Sequence, residues 1–99
     1  MIRMAGSMPP NIGRGKTPAE AIDAFFRVTH PRERTARLVE AIGLKKDASR
    51  WKAYVEGDIA PNVRKVEGWV ASWNETYPEH PIREVAFQGD TWVAWGGAT

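Results

Sequence analysis

The amino-acid sequence predicts a mainly α-helical fold of four to five helices, followed by a C-terminal β-hairpin. Between residues 17 and 77, apolar residues recur at spacings of three and four, which is typical of one face of a helix. Beyond residue 78 the period changes to two, which indicates strands. The chain has 99 residues, of which 42% are hydrophobic and 26% charged, so we expect one globular domain.

Residues 1–16 are predicted to form a flexible basic arm. They hold three methionines, two prolines, three glycines and three positive charges without an acid, and they lack a repeating apolar face. Such a composition favours a mobile segment. The fragment "GRGKT" invites a phosphate-loop interpretation, but that motif needs a glycine five residues before Gly15, where Pro10 stands. The arm remains the better interpretation.

Four helices follow the arm. The first begins at Thr17, where "TPAE" supplies an N-cap, a helix-starting proline and a capping-box glutamate, and it ends before the His30–Pro31 pair. The second fits residues 32–42 and ends at Gly43. The third runs from Asp47 or Ser49 to about residue 56, and the fourth from Pro61 or Asn62 to about Tyr77. Residues 78–99 hold the predicted hairpin, which turns at Gly89 and Asp90 and must pack on the helices or pair with another chain.

Composition excludes several functional classes. Cysteine is absent, which removes disulfides and thiolate metal sites. No apolar run reaches the roughly 18–20 residues that span a bilayer, and the first 16 residues lack the apolar stretch of a secretory signal, so we expect a cytoplasmic protein. His30 and His80 each precede a proline with no nucleophile or metal partner placed by spacing. We therefore expect no enzyme, no cofactor, no metal and no small-molecule substrate.

Charge is distributed unevenly along the chain. Residues 1–66 carry 13 Lys/Arg against 7 Asp/Glu, whereas residues 67–99 carry 1 against 5. A basic region attracts polyanions, most often nucleic acid, although the same asymmetry occurs in proteins without such a partner.

The five tryptophans need two explanations. Trp51 and Trp73 lie on helical apolar stripes and are expected in the core. Trp69 lies off the main stripe, and Trp92 and Trp95 fall on opposite faces of one strand. At least one of these three is therefore expected near the surface, and an interface is favoured over a two-sided core.

The segment "ARLVEAIG" (residues 36–43) followed by "ASRWKAYVEGDIAP" (residues 48–61) resembles the helix-turn-helix of the Cro and phage-repressor superfamily, also called the xenobiotic-response-element family. In that family a helix ending in glycine is followed by a turn, a recognition helix ending in glycine, and a proline four residues later. The matching residues here are Leu38, Val39, Ile42, Gly43, Trp51, Tyr54, Gly57 and Pro61. The segment between the two glycines is about two residues longer than usual, and Val55 replaces a frequent glutamate.

This resemblance, which covers residues 17–77, implies a small sequence-specific transcriptional regulator of bacterial or phage type. It would bind double-stranded DNA as a homodimer and read the major groove with the helix around residues 48–56. The positions that face bases in the family fall on Ala48, Ser49, Arg50, Lys52 and Ala53. Basic residues that flank this helix or lie in the arm suit phosphate contacts: Lys45, Lys46, Arg64, Lys65, Arg14 and Lys16, with Arg3. The expected dimer interface holds Trp69, Val85, Phe87, Trp92 and Trp95.

An alternative function is a protein-interaction module that keeps the helical fold but does not bind DNA. The low net charge of +2 and the acidic tail favour it modestly. It would use the tryptophan surface on a partner protein. Changes at Trp69 or Trp95 would then abolish binding, and changes at Arg50 or Lys52 would not.

Overall fold

A computed structural model describes residues 11–45 and 47–97. In chain order the elements are β1 (Ile12–Gly15), α1 (Pro18–Thr29), α2 (Thr35–Ala41), α3 (Ala48–Glu56), α4 (Val63–Thr76), β2 (Glu84–Gln88) and β3 (Thr91–Trp95). The four helices and the hairpin of β2 and β3 confirm those parts of the prediction. The prediction of a mainly α fold is confirmed only in part, because the strands form a three-stranded antiparallel sheet in the order β1-β3-β2.

The strand β1 corrects the prediction of a flexible arm through residue 16. Gly13 pairs with Ala94, and Gly15 pairs with Trp92. The sheet lies directly on α1 at this point, since a Cβ atom on Gly13 would collide with the backbone of Ala21 and Phe25. Glycine therefore serves close strand-to-helix packing here rather than a loop. The rest of the arm, residues 1–10, lies outside the described residues.

Thr17 connects the start of α1 to the end of α3. Its Oγ1 accepts a hydrogen bond from the Glu20 amide at 3.0 Å and donates one to the Val55 carbonyl at 3.0 Å. The Glu20 carboxylate accepts from the Lys16 amide at 2.6 Å, one residue before the N-cap that a standard capping box would use. The predicted helix start is confirmed, and it also fixes the C-terminal end of α3.

Aromatic side chains form much of the core. Trp51 is 1% exposed and Trp73 0% exposed, as the sequence predicts. Trp69 meets Trp51 edge-on with ring centroids 5.1 Å apart and meets Tyr54 at 4.9 Å. The Trp73 indole donates to the His80 carbonyl at 2.7 Å, so its buried N–H is satisfied. Helices α1, α3 and α4 thus share one apolar core.

The side chain of Asn74 joins α4 to the segment that enters β2. Its Nδ2 donates to the Ile82 carbonyl at 3.0 Å, and its Oδ1 accepts from the Ile82 amide at 2.7 Å. A second polar contact joins α4 to α2, because Ser72 Oγ donates to the Ala41 carbonyl at 2.6 Å. These bonds satisfy backbone groups that the ends of elements leave open.

The hairpin turns at Gly89 and Asp90 as predicted, with Gln88 paired to Thr91. Gly89 has a φ of 72° and Asp90 does not have a positive φ, which fits a two-residue type II′ turn. One face of the sheet packs on α1, where Ala94 is fully buried. Paired residues share a face, so Val85, Phe87 and Trp92 lie on this inner face and Ala86, Val93 and Trp95 on the outer one. In the described parts of the chain, no helix has the length and apolar character needed to cross a bilayer.

Candidate nucleic-acid interface

Helix α3 has defined ends. The Asp47 carboxylate caps the first turn by accepting from the Arg50 amide at 3.1 Å, which decides between the two N-caps that the sequence allows. Gly57 ends the helix in the left-handed conformation at φ 88°, where a residue with a Cβ would be strained. Trp51 and Tyr54 are 1% and 2% exposed, so they hold one side of α3 in the core.

The solvent-accessible part of α3 carries the predicted base-contacting residues. Ala48, Ser49, Arg50 and Lys52 are exposed, and Ala53 is half-buried. The Arg50 guanidinium lies 6.0 Å from the centroid of the Tyr54 ring, a cation–π distance that limits its freedom. These residues form the outward face of α3, defined here as Ala48, Ser49, Arg50, Lys52 and Ala53.

Two acidic residues accompany this outward face. Ser49 Oγ donates to the Asp47 carboxylate at 3.3 Å, and Lys52 Nζ lies 4.0 Å from the Glu56 carboxylate. Both pairs are exposed and therefore contribute little to stability. The Lys52 ammonium and the Ser49 hydroxyl can each exchange their carboxylate for a stronger acceptor at a small cost in free energy. The Arg50 guanidinium pairs with no carboxylate among the described residues.

The connection between α2 and α3 contains two residues in the left-handed conformation. Gly43 has a φ of 89° and Lys45 a φ of 58°. Left-handed backbone is costly for a residue with a Cβ, so Lys45 is a strained position in this connection. The exposed Lys45 side chain lies just before α3. The predicted phosphate contact at Lys46 lies outside the described residues.

The other predicted phosphate contacts are exposed but lie on different elements. Arg64 and Lys65 lie in the first turn of α4, where the helix dipole adds positive potential. Lys16 lies between β1 and α1, next to Thr17, which contacts α3. Arg14 lies on the outer face of the sheet, paired with Val93. It belongs to a strand and not to an arm, so its reach is limited to that of its side chain.

The predicted interface residues do not form one surface. Trp69 is 3% exposed, so its assignment to an interface is wrong, because Trp51 and Tyr54 cover it from α3. Phe87 is 56% exposed and Trp95 38% exposed, but they lie on opposite faces of the sheet. Trp92 is half-buried against Phe87, with ring centroids 5.6 Å apart. The expectation that at least one tryptophan outside the core stripe reaches the surface is confirmed by Trp95.

An apolar groove of about 600 Å³ runs between the hairpin and the start of α4. Sequence reasoning missed it, because its walls come from distant segments. The residues that matter for its character are Ile59, Val63, Val66, Val85, Phe87 and Trp92. Val63 is 73% exposed. The groove is called the hairpin groove below.

The two histidines also meet in space, which their spacing did not reveal. His30 and His80 ring centroids are 5.5 Å apart, and His30 lies 4.2 Å from the Tyr77 ring. Burial, and secondarily the nearby His80, lower the pKa of His30. Among the described residues, no group of three His, Cys, Asp or Glu side chains could hold a metal.

No family model, curated protein or solved structure matches this chain.

Proposed function

We propose that the protein is a small sequence-specific DNA-binding transcriptional regulator that places α3 in the major groove. One observation carries the proposal: α3 is fixed to the core by Trp51 and Tyr54 and presents Arg50 and Lys52 outward. A rigid helix with an exposed polar side suits the width of the major groove. The helix that precedes α3 matches the order of elements in the superfamily that the sequence resembles, although the connection between the two helices is longer.

Arg50 is the residue assigned to sequence recognition. Its guanidinium can form two hydrogen bonds to guanine O6 and N7, and its position above Tyr54 limits the conformations it must give up. Ser49 can bond to several base edges, and Ala48 or Ala53 can contact a thymine methyl. Lys45, Arg64 and Lys65 are assigned to phosphates, which fix orientation without reading sequence.

Random-site selection with the purified protein, followed by a shift assay at two salt concentrations, tests the proposal. An enriched site should emerge, and affinity should fall steeply with salt because bound phosphates release counterions. Absence of any affinity for duplex DNA at low salt would overturn the proposal.

Two variants separate sequence recognition from charge. Arg50→Ala should cost about 1–3 kcal/mol on the selected site and relax the preference at one base pair. Lys65→Ala should weaken selected and unrelated duplexes alike. Arg83→Ala is the matched control, because Arg83 is exposed but precedes β2 and does not lie on α3 or α4. This variant should change neither the sequence preference nor the affinity for unrelated duplexes. An unchanged preference in Arg50→Ala would contradict its role.

The protein-interaction alternative retains one supporting observation, the exposure of Trp95 on the outer face of the sheet. Trp69→Ala does not test the protein-interaction alternative, because Trp69 is a core residue. Trp95→Ala does, since it should abolish partner binding without unfolding the protein. A protein that selects no DNA site but loses a partner with this variant would support the alternative.

A further inference from the structure

The indole ring of Trp51 has a polar partner on α1. Its Nε1 donates a hydrogen bond to Asp23 Oδ1 at 3.3 Å, and the Trp51 side chain is 1% exposed. A buried N–H without an acceptor destabilises the folded state, so Asp23 satisfies the one polar atom of this ring. Helix α3 is therefore held to α1 by a hydrogen bond as well as by apolar contacts.

This hydrogen bond restrains α3 in a way that its apolar contacts do not. Trp69 covers Trp51 edge-on with ring centroids 5.1 Å apart, but the hydrophobic effect has no preferred direction. A hydrogen bond weakens steeply as its angle departs from linear. Trp51 stands between Arg50 and Lys52 in the helix, so a rotation of α3 that moved the indole would also turn the outward face. The bond to Asp23 opposes that rotation.

Helix α1 also holds α2, through Arg27. The Arg27 Nε lies 3.5 Å from Asp23 Oδ2, and its Nη2 donates to Thr35 Oγ1 at 2.7 Å. Thr35 is the first residue of α2. Within residues 11–45 and 47–97, no side-chain hydrogen bond joins α2 directly to α3. The two oxygens of Asp23 thus link α3 directly and α2 through Arg27, and α1 is the element that both helices share.

The two contacts of Asp23 differ in weight. The pair with Arg27 is exposed, with the Arg27 side chain 48% accessible, so it contributes little. The contact with the buried Trp51 indole matters more, because its loss leaves an N–H without an acceptor. Aspartate is also a weaker helix former than alanine, and its charge repels a polyanion. The side chain is therefore unfavourable for α1 and for DNA, except through the hydrogen bond that it accepts.

We propose that Asp23 is a positioning residue of the candidate nucleic-acid interface. By accepting the Trp51 hydrogen bond, Asp23 fixes the rotation of α3 and thereby the placement of Arg50, without touching DNA itself. The inference rests on the proposed function, because this placement affects recognition only if α3 reads bases. Removal of the Asp23 side chain should then reduce sequence discrimination, although it also removes a negative charge.

The first test compares affinities for the duplex that the wild type selects and for an unrelated duplex of equal length. Asp23→Ala should weaken binding to the selected duplex by about fivefold or more, because the base contacts of Arg50 become misaligned. Its affinity for the unrelated duplex should stay equal or rise, since a negative charge is gone. Asp23→Asn should keep most of the discrimination, because its amide oxygen can still accept from the indole.

Three outcomes of this comparison would overturn the proposal. Equal losses on both duplexes would assign Asp23 to general stability, and unchanged discrimination in Asp23→Ala would give it no part in recognition. A loss in Asp23→Asn as large as in Asp23→Ala would exclude the indole hydrogen bond as the cause. Asn74→Ala is the matched control, because it also removes side-chain bonds between elements but none to α3. It should leave discrimination unchanged, and a loss equal to that of Asp23→Ala would overturn the proposal as well.

The indole signals in the NMR spectrum of the isotope-labelled protein test the hydrogen bond without DNA. In the wild type, the Trp51 Nε1 proton should exchange with water more slowly than that of the exposed Trp95. In Asp23→Ala the Trp51 signal should move upfield. The Trp73 signal should not move, because its N–H donates to the His80 carbonyl. Wild-type exchange at Trp51 as fast as at Trp95 would overturn the proposal even if Asp23→Ala does not fold.

The two measurements separate this inference from the proposed function. A wild-type protein that selects no duplex would contradict the proposed function and with it the recognition role of Asp23, even where the indole signals confirm the hydrogen bond. A wild-type protein that selects a site, with discrimination unchanged in Asp23→Ala, would contradict the role of Asp23 alone.

Discussion

Helix α3 and strand β2 both expose one side to solvent, but the two sides differ in chemical character. The outward face of α3 carries Arg50 and Lys52, and its apolar side chains are buried. The edge of β2 exposes Phe87 and open backbone groups. A charged face is stable in water and suits a ligand that binds reversibly, whereas an apolar edge is stabilised by being covered. The contrast separates a charged helix face from an apolar strand edge.

Removing the Trp51 side chain, which anchors α3 in the core, should have the largest effect on stability. Trp51→Ala leaves a large cavity beneath α3 and should lower the free energy of unfolding by about 3–5 kcal/mol. Urea denaturation followed by circular dichroism measures the change. Trp95→Ala is the matched control, because Trp95 is 38% exposed and should cost far less. Similar losses for the two variants would contradict the assignment of Trp51 as the anchor.

Removing the Asn74 side chain, which joins α4 to the segment that enters β2, should have the next largest effect on stability. Asn74→Ala leaves the Ile82 amide and carbonyl without their partners and should cost about 2 kcal/mol. Amide hydrogen exchange should accelerate in β2 and β3 more than in α3, since the joint holds the sheet. Glu75→Ala, at the exposed neighbouring position, should change neither property. Uniform acceleration across the protein would show that the sheet and helices unfold as one unit.

A smaller effect is expected at the contact between the start of α1 and the end of α3. Thr17→Val removes the hydroxyl that caps α1 and donates to Val55, and should cost about 1–2 kcal/mol. Thr17→Ser retains the hydroxyl and should recover most of this stability in thermal unfolding. Faster hydrogen exchange in the last turn of α3 should accompany the loss in Thr17→Val. Equal stability of the two variants would contradict the role of the hydroxyl.

The smallest effect is a dependence of stability on pH. Burial lowers the pKa of His30 below its ordinary value of 6.5, so the unfolded chain binds a proton more readily than the folded one. Stability is therefore full above pH 6.5 and falls as the pH decreases from there toward the folded-state pKa. Thermal unfolding at a series of pH values should show this loss. His30→Phe should reduce it, whereas an unchanged pH profile in that variant would assign the loss to other groups.

The helical half of the fold could be predicted because its apolar spacing and caps are local signals. Thr17, Gly57 and Asn62 mark element ends through interactions with near neighbours in the chain. The strand β1 could not be predicted in this way. Its sequence, IGRG, lacks strand-like alternation, and the reason for its glycines is α1 beneath it, which no local pattern contains.

The candidate interface likewise has one part that the sequence predicts and one part that only the fold shows. The exposure of Arg50 and Lys52 follows from helical periodicity once Trp51 is placed in the core. The burial of Trp69 could not be predicted, because the apolar stripe on one helix does not show which other helix covers its flank. The hairpin groove and the His30–His80 contact join residues far apart in the chain, so only the assembled fold reveals them.

Pairing between β1 and β3 also has a consequence for the order of events during synthesis. The ribosome makes β1 before the four helices and β3 after them, so β1 has no strand partner until translation reaches Trp95. The helices can form as they emerge, because their contacts are more local. The sheet is therefore completed after the helices, because β1 gains its strand partner only once β3 has been made.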